Sequence, residues 1–211
     1  MKVVLYGASG HGKVVADVVS AMPGLKLVGF VDDYVAGQRK SIGRFPILGG
    51  QEVLSEILHD GIEGVIVAIG NNEVRLEKAD VLGKMGFKFI TAIHPTAVLG
   101  SDVHIGVGTV IMAGVVVNAS ARIGCHVVVN TSATVDHDCI LEDGSHLSPG
   151  VHLAGNVSVG RGSHVGIGAG IIQNLKIGEW STVGAGAVVI RDIPAGQTVV
   201  GNPARELHKR H

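Results

Sequence analysis

Aromatic side chains are scarce in this chain: one Trp, two Tyr and four Phe in 211 residues. A layered core ordinarily draws on more of them, so their scarcity favours a repetitive fold whose order comes from the backbone. Cysteine is scarce too, and Cys125 and Cys139 are too few for a disulfide framework. Charged residues make up 17% of the chain and the net charge is −1. That leaves no basic field to recruit nucleic acid and no polybasic patch for a membrane surface. Apolar runs such as residues 14–19 are short and interrupted, far from the roughly 20 residues that span a bilayer. The N-terminus opens on strand-like residues without the charged, apolar and cleavage-site order of a signal peptide. Together these absences point to a cytoplasmic protein. Glycine, by contrast, is abundant, with 32 positions.

Two regions follow different rules. Residues 1–92 read as strands alternating with helices: strand-like runs at 2–6, 26–31, 65–69 and 88–93, and helical patterns at 11–21, 50–58 and 73–84. Such alternation implies a small parallel sheet with crossover helices, a Rossmann-like α/β domain. From Ile93 the period becomes six. Seventeen consecutive sixth positions, from Ile93 through Val135 to Val189, are Ile, Leu or Val. The next position is often Gly, Asn or Asp, as at Gly100, Gly106, Asn118 and Asp136, which suggests the left-handed corner of a tight turn. Two positions before the aliphatic the residue is usually small or Val, as at Ala97, Thr109 and Ser163.

This repeat is the signature of an all-β parallel β-helix built from hexapeptides, with three hexapeptides to a triangular coil. The reading assigns residues 93–211 to that second domain with a short C-terminal tail, and ends the solenoid near residue 192 at Asp192, Pro194 and Gly196. Residues eighteen apart then lie in one column. His137 falls beneath Gly155 and His146 beneath His164, while His137 and His146, half a coil apart, fall on different sides of one chain.

Several motifs suggest chemistry. In Val135-Asp136-His137-Asp138-Cys139, His137 is expected to point outward, where an imidazole can accept a proton near neutral pH, with Asp138 to orient it; the alternative is a surface histidine at a turn. The turn Gly7-Ala8-Ser9-Gly10-His11-Gly12 follows the first strand and opens the first helix, so its backbone N–H groups can cradle a phosphate. Its G-x-x-G-x-G spacing is not the dinucleotide fingerprint, and a plain strand-to-helix turn is the alternative. Asp32 and Asp33 end the second strand, where an acidic residue meets a ribose or base in such folds, and Gly70-Asn71-Asn72 lies on the same expected edge. The eleven histidines show no close i, i+4 or i, i+5 pair, so no metal site is assigned. Cys125 and Cys139 read as small wall residues of the prism.

These residues resemble a known family. The landmarks Tyr6-Gly-Ala-Ser-Gly-His-Gly12, Val31-Asp-Asp33, Ala68-Ile-Gly-Asn-Asn72, Ile93-His-Pro95, Asn130-Thr-Ser-Ala133, His137-Asp-Cys139, His146-Leu-Ser148 and the terminal Val199-Val-Gly-Asn-Pro-Ala204 are similar to those of the bacterial sugar acetyltransferases of the PglD and NeuD type. These are hexapeptide-repeat acyltransferases with a left-handed β-helix. The resemblance implies a homotrimer with acetyl-CoA, a co-substrate rather than a permanent cofactor, lying along the solenoid between subunits. It implies that the N-terminal domain holds a nucleotide sugar near Ala8, Ser9, Gly10, His11, Asp32, Asp33 and Gly70. It makes His137 the general base tuned by Asp138, where many members carry Glu, and places His146, Gly155, Ile167 and Ala185 on the acyl donor.

The reaction so implied is N-acetylation of a nucleotide-linked amino sugar, a UDP-4-amino-4,6-dideoxy sugar by family precedent, by direct attack on the thioester. No Ser or Cys nucleophile with a dedicated base is evident. Three alternatives stand beside it: O-acetylation of a sugar or sialic acid, a zinc hydratase of the γ-carbonic-anhydrase kind with three histidines converging between subunits, and a non-catalytic nucleotide-sugar binding protein.

Overall fold

The computed structural model describes residues 1–207. The chain divides into two compact units, residues 1–95 and residue 96 onward, so the division falls after Pro95, shortly past the change of period at residue 93.

The first unit opens with β1 (Lys2–Tyr6), α1 (Gly10–Ala21) and β2 (Lys26–Val31). A hairpin follows, β3 (Ser41–Ile42) with β4 (Phe45–Gly49), then a single 3-10 turn at Gln51–Val53 and α2 (Leu54–His59). The unit continues with β5 (Gly64–Val67), α3 (Asn72–Lys84), β6 (Lys88–Phe89) and β7 (Ala92–Ile93). Six of these strands form one sheet in the order β3-β4-β2-β1-β5-β6. All neighbours in it are parallel except the β3–β4 hairpin. β1 lies at the centre because its apolar residues, Val3 to Tyr6, are buried on both faces, as a parallel strand covered by helices requires. Sequence periodicity assigns no element between residues 33 and 50. The hairpin there is short and its apolar positions are broken by Lys40, Gly43, Arg44 and Pro46, so its strands carry little alternation. The run 88–93, read as one strand, is two short ones.

The core on one face of this sheet gathers Val4, Tyr6, Val31, Leu54, Ile57, Val65, Val67, Ala79 and Leu82. Each fully buried Val, Leu or Ile side chain among them contributes about 1.5–3 kcal/mol before entropy is counted. α3 is capped by Asn71, whose side-chain oxygen accepts the Val74 N–H at 3.0 Å, and carries Glu73 in its first turn and Lys84 in its last. This is the cap and charge order that a helix dipole favours.

The second unit is a left-handed parallel β-helix. Two-residue strands stack in three flat faces. One face runs through Val110–Ile111, Val128–Val129, His146–Leu147, His164–Val165 and Thr182–Val183. The next runs through Val98–Leu99, Val116–Val117, Thr134–Val135, His152–Leu153, Gly170–Ile171 and Val188–Val189. The third runs through His104–Ile105, Arg122–Ile123, Ile140–Leu141, Ser158–Val159 and Lys176–Ile177. Every register step is eighteen residues, as the period requires. From Ile111 to Val189 the second residue of each of these strands fills the interior, which is why an all-aliphatic column suffices and rings are unnecessary; at the first coil Leu99 is still exposed.

The corners correct the sequence reading. Left-handed backbone occurs three residues after each sixth-position aliphatic from Leu99 to Val183, not one: at Asp102, Ser120, His126, Ser132, Asp138, Asn156, Asn174 and Trp180, and at glycines such as Gly108 and Gly144. The glycine immediately after the aliphatic is small for another reason. A Cβ on Gly106 would stand 2.5 Å from the Gly124 carbonyl carbon, and one on Gly166 2.7 Å from the Ala185 nitrogen, both in the next coil. Close approach of stacked backbones, not φ, excludes a side chain there.

The solenoid also outlasts residue 192. Ile193 bridges to Ile177, and Thr198–Val200 pairs in parallel with Thr182–Val183. Asp192, Pro194 and Gly196 shift the phase by two, so Ile193 and Val199 carry on the buried column. An antiparallel partner, Arg205–Glu206, then closes the end. The part of the C-terminal tail past residue 207 lies outside the described residues.

Candidate active site

In the first unit, the turns at the carboxyl ends of β1, β2 and β5 meet. Gly7 holds φ at +116°, and a Cβ there would lie 2.6 Å from the Ala68 carbonyl oxygen; a Cβ on Gly12 would overlap the Gly7 carbonyl. The turn therefore packs tightly on both sides, and Ser9 and Gly10 are left exposed at the start of α1. Ala8 is buried, and its N–H donates to Asp32 Oδ2 at 2.7 Å. Asp32 Oδ1 accepts the N–H groups of Tyr34 at 2.9 Å and Val35 at 3.1 Å. Its carboxylate is thus occupied in tying the first two turns together.

Asp33 is the centre of a network. Its Oδ2 accepts from the Tyr6 hydroxyl at 2.6 Å and Lys78 Nζ at 2.9 Å, and its Oδ1 accepts the Gln51 N–H at 2.8 Å. Burial pushes Asp33 up, but these hydrogen bonds outweigh it and hold the carboxyl below its ordinary range. Burial and the bond to Asp33 push Tyr6 up to about 12. Lys78 reaches about 12 because its bonds to Asp33 and Tyr6 overcome burial. A cavity of about 200 Å³ is lined here by Tyr6, Asp32, Asp33, Tyr34, Ile69 and Lys78 among others.

Beside it, the guanidinium of buried Arg75 donates to the Ile69 carbonyl at 2.9 Å, the Gly70 carbonyl at 3.3 Å and Asn72 Oδ1 at 2.9 Å. This fixes the loop that carries Gly70. Burial, with Arg75 adding to it, lowers His11 to about 4, so its ring is neutral at physiological pH. Lys78 and Arg75 carry no site signal in the sequence, because they meet the turns only through tertiary contacts from α3. Tyr6 opens the Tyr6–Gly12 landmark, but its hydroxyl finds a role only where the fold brings Asp33 to it.

In the second unit, His137 stands at a corner with its side chain 61% exposed. Its Nδ1 lies 2.8 Å from Asp138 Oδ2. That contact raises the imidazole above its ordinary value and, with Nδ1 carrying the proton, leaves the Nε2 lone pair outward. Asp138 sits in a left-handed corner at φ 60°, which a short acidic side chain tolerates. Directly above, a Cβ on Gly155 would overlap Nε2 and Cε1 of His137. The column read from the sequence is therefore real, and the missing side chain is what keeps Nε2 open.

The second column is real as well. The rings of His146 and His164 stack with centroids 4.8 Å apart at 13°, and Ser148 Oγ lies 2.8 Å from His164 Nε2. His146 is on one face and His137 at the corner following the next. Ile167 and Ala185, both exposed, stack one coil apart at a third place, the corner after the His146 face. Cys139 is buried inside, where its thiol donates to the Ala154 carbonyl at 3.2 Å, as a wall residue should. Among the described residues, no three His, Cys, Asp or Glu side chains of one chain converge as a metal site would need. Two larger hollows, of about 610 Å³ beside α1 and the β3–β4 hairpin and about 360 Å³ on the third face of the solenoid, contain none of the site residues named above.

Comparison with known proteins identifies the family. Residues 2–82 match the family described as PglD N-terminal domain. The chain is 40% identical over 121 residues to a UDP-N-acetylbacillosamine N-acetyltransferase of Bacillus subtilis; that match spans 53% of this chain and about half, 51%, of the relative. It is 34% identical over 186 residues to a GDP-perosamine N-acetyltransferase of Escherichia coli O157:H7, covering 85% of this chain and 82% of the relative. The structure superposes with a TM-score of 0.95, at 37% identity, on a histidine-to-alanine mutant of the GDP-perosamine N-acetyltransferase of Caulobacter crescentus in complex with CoA and GDP-perosamine, over 99% of this chain and 98% of that one. With the hexapeptide solenoid, the N-terminal match and the Escherichia coli relative aligned over 82% of its length, the chain belongs to the PglD-type family of nucleotide-amino-sugar N-acetyltransferases.

Proposed function

We propose that this chain transfers the acetyl group of acetyl-CoA to the amine of a nucleotide-linked amino sugar, with His137 as the general base. The observation that carries the reading is the His137 stack: Nδ1 held by Asp138, Nε2 unobstructed beneath Gly155. The amine nitrogen attacks the thioester carbonyl carbon. Its proton passes to His137 Nε2, the carbonyl becomes an oxyanion that the Gly155 N–H stabilises, and collapse expels the CoA thiolate, which takes the proton back. Asp138 holds the proton-accepting tautomer and stabilises the imidazolium. No acyl-enzyme intervenes.

The first unit holds the nucleotide sugar over the Ala8–His11 turn, Asp32, Asp33 and Gly70. The solenoid holds acetyl-CoA against His146, Gly155, Ile167 and Ala185. Because His146, Ile167 and Ala185 lie on other faces and corners of the prism than His137 and Gly155, the site is proposed to lie between subunits of a homotrimer. A UDP-4-amino-4,6-dideoxy sugar is the proposed acceptor, although relatives are named for both UDP- and GDP-linked sugars. The product feeds glycan assembly in the cytoplasm, and no described helix is long and apolar enough to cross a membrane.

A thiol-release assay with acetyl-CoA against UDP-, GDP- and dTDP-linked 4-amino sugars, with product mass spectrometry, tests the reading. One acetyl gained on the sugar amine is expected, with turnover falling about 10²–10⁴-fold in His137→Ala while CoA still binds. Turnover with sialic acid alone would move the chain to O-acetylation. Undiminished turnover in His137→Ala would end the assignment of the base.

A further inference from the structure

We propose that Asn118 and Asp136 form a brace that positions His137 and adds a second negative charge to its surroundings. The inference rests on His137 being the base. His137 is exposed, and one hydrogen bond to a neighbouring side chain does not fix an exposed imidazole in space. Its peptide, however, is held on both sides. Its N–H donates to Asp136 Oδ1 at 2.8 Å, and its carbonyl accepts the Asn156 N–H from the coil above at 2.9 Å.

The same Asp136 oxygen accepts Asn118 Nδ2 at 2.8 Å from the coil below. The bond from a side chain to the next backbone N–H recurs at Asn130 and Thr131, so by itself it is ordinary corner chemistry. The tie from beneath is what distinguishes Asp136. At the equivalent position of the other coils, this column carries Gly100, Ala154, Ile172 and Ile190; the Asn–Asp pair is confined to the two coils at and under the base. Three layers of the solenoid thus converge on one residue.

The electrostatics add to the geometry. In the stack His137 is flanked by Asp136 and Asp138 on its own coil and, one register step away, by Asn118, Ala119 and Ser120 below and Ala154, Gly155 and Asn156 above. The two carboxylates are the charged groups of this stack. Asn118, together with the His137 N–H, keeps Asp136 below the ordinary carboxylate range, so it remains ionised wherever the enzyme works. Asp136 then favours the imidazolium that forms as the proton transfers, and it does so without touching the substrate. It is a positioning residue, as is Asn118.

Substitutions separate the two roles. Asp136→Asn retains an oxygen for both hydrogen bonds and removes only the charge. Asn118→Ala leaves the charge and removes the tie. The tests use the full chain: the titration of His137 by NMR, assigned by its absence in His137→Ala, and kcat and KM for acetyl-CoA with a UDP-4-amino-4,6-dideoxy sugar across pH, with thermal midpoints alongside.

Asp136→Asn is expected to lower the His137 pKa by about half a unit, a roughly threefold loss of proton affinity. The acidic limb of kcat/KM moves to lower pH by the same amount, because a less basic imidazole stays neutral further into acid. Asn118→Ala is expected to lower kcat about fivefold to tenfold with both KM values and the thermal midpoint nearly unchanged. A wild-type titration and wild-type kcat in both variants would overturn the brace. So would losses in kcat that merely follow a loss of thermal stability or of CoA binding. An active His137→Ala would instead overturn the base itself, whatever the NMR titration shows.

Discussion

Single atoms decide access to His137. Gly155 has an ordinary backbone conformation, not a left-handed one, so alanine costs it nothing through φ. Its methyl would nevertheless occupy the space at His137 Nε2. Gly155→Ala is therefore expected to lower turnover at least about 100-fold while the thermal midpoint stays within a few degrees, measured by the same thiol-release assay and by calorimetry. An active, stable Gly155→Ala would mean that the imidazole works from another rotamer. At this scale the sequence was most legible where a column rule applied. The eighteen-residue repeat alone put Gly155 over His137 and His164 over His146. It was least legible for Lys78 and Arg75, whose roles arise from carbonyls and carboxylates brought to them by the fold.

Elements show why a correct pattern can carry a wrong cause. Glycine is enriched directly after the inward aliphatic, and a corner was the natural explanation. The left-handed residue lies two positions further on, and its signal is diluted among Gly, Asn, Asp, Ser, His and Trp because a side chain can point away from the prism there. The small residue two before the aliphatic has its own function. Thr109 Oγ1 donates to the Gly124 carbonyl at 2.8 Å and accepts the Val127 N–H at 3.0 Å, and Ser163 Oγ does the same with Gly178 and Ser181 at 2.7 and 3.0 Å. These hydroxyls join coils inside an otherwise apolar interior. Thr109→Val keeps the shape and strands the buried Val127 N–H, so chemical denaturation should show a loss of about 1–3 kcal/mol. A neutral result would mean that another group takes over that donor.

The whole molecule poses the question of how many chains make one site. His137 and His146 lie on different sides of the prism, as their nine-residue separation demands. If the base of one subunit serves the donor held by another, inactive His137→Ala and His146→Ala chains should regain activity when refolded together. In a random trimer of equal parts, at most a minority of interfaces pair two intact residues, so recovery to roughly a quarter of wild type is the ceiling. No recovery at any ratio, in oligomers shown by mass spectrometry to be mixed, would place the site within one subunit.

The constant register has a consequence for how such a chain can change in length. Val98 lies against Val116, and each strand against the one eighteen residues on. Insertion of a single residue would turn every later side chain to the wrong face. A whole coil can be added or removed with each surviving neighbour still matched, because each layer contacts only the next. Length in this domain is therefore counted in coils. Shorter insertions survive only as loops that leave and re-enter at one corner, or where the phase already slips, between Val189 and Thr198. Asn118, His137 and Gly155 stand on three successive coils, so a coil inserted among them would part the base from its brace or from the glycine above it.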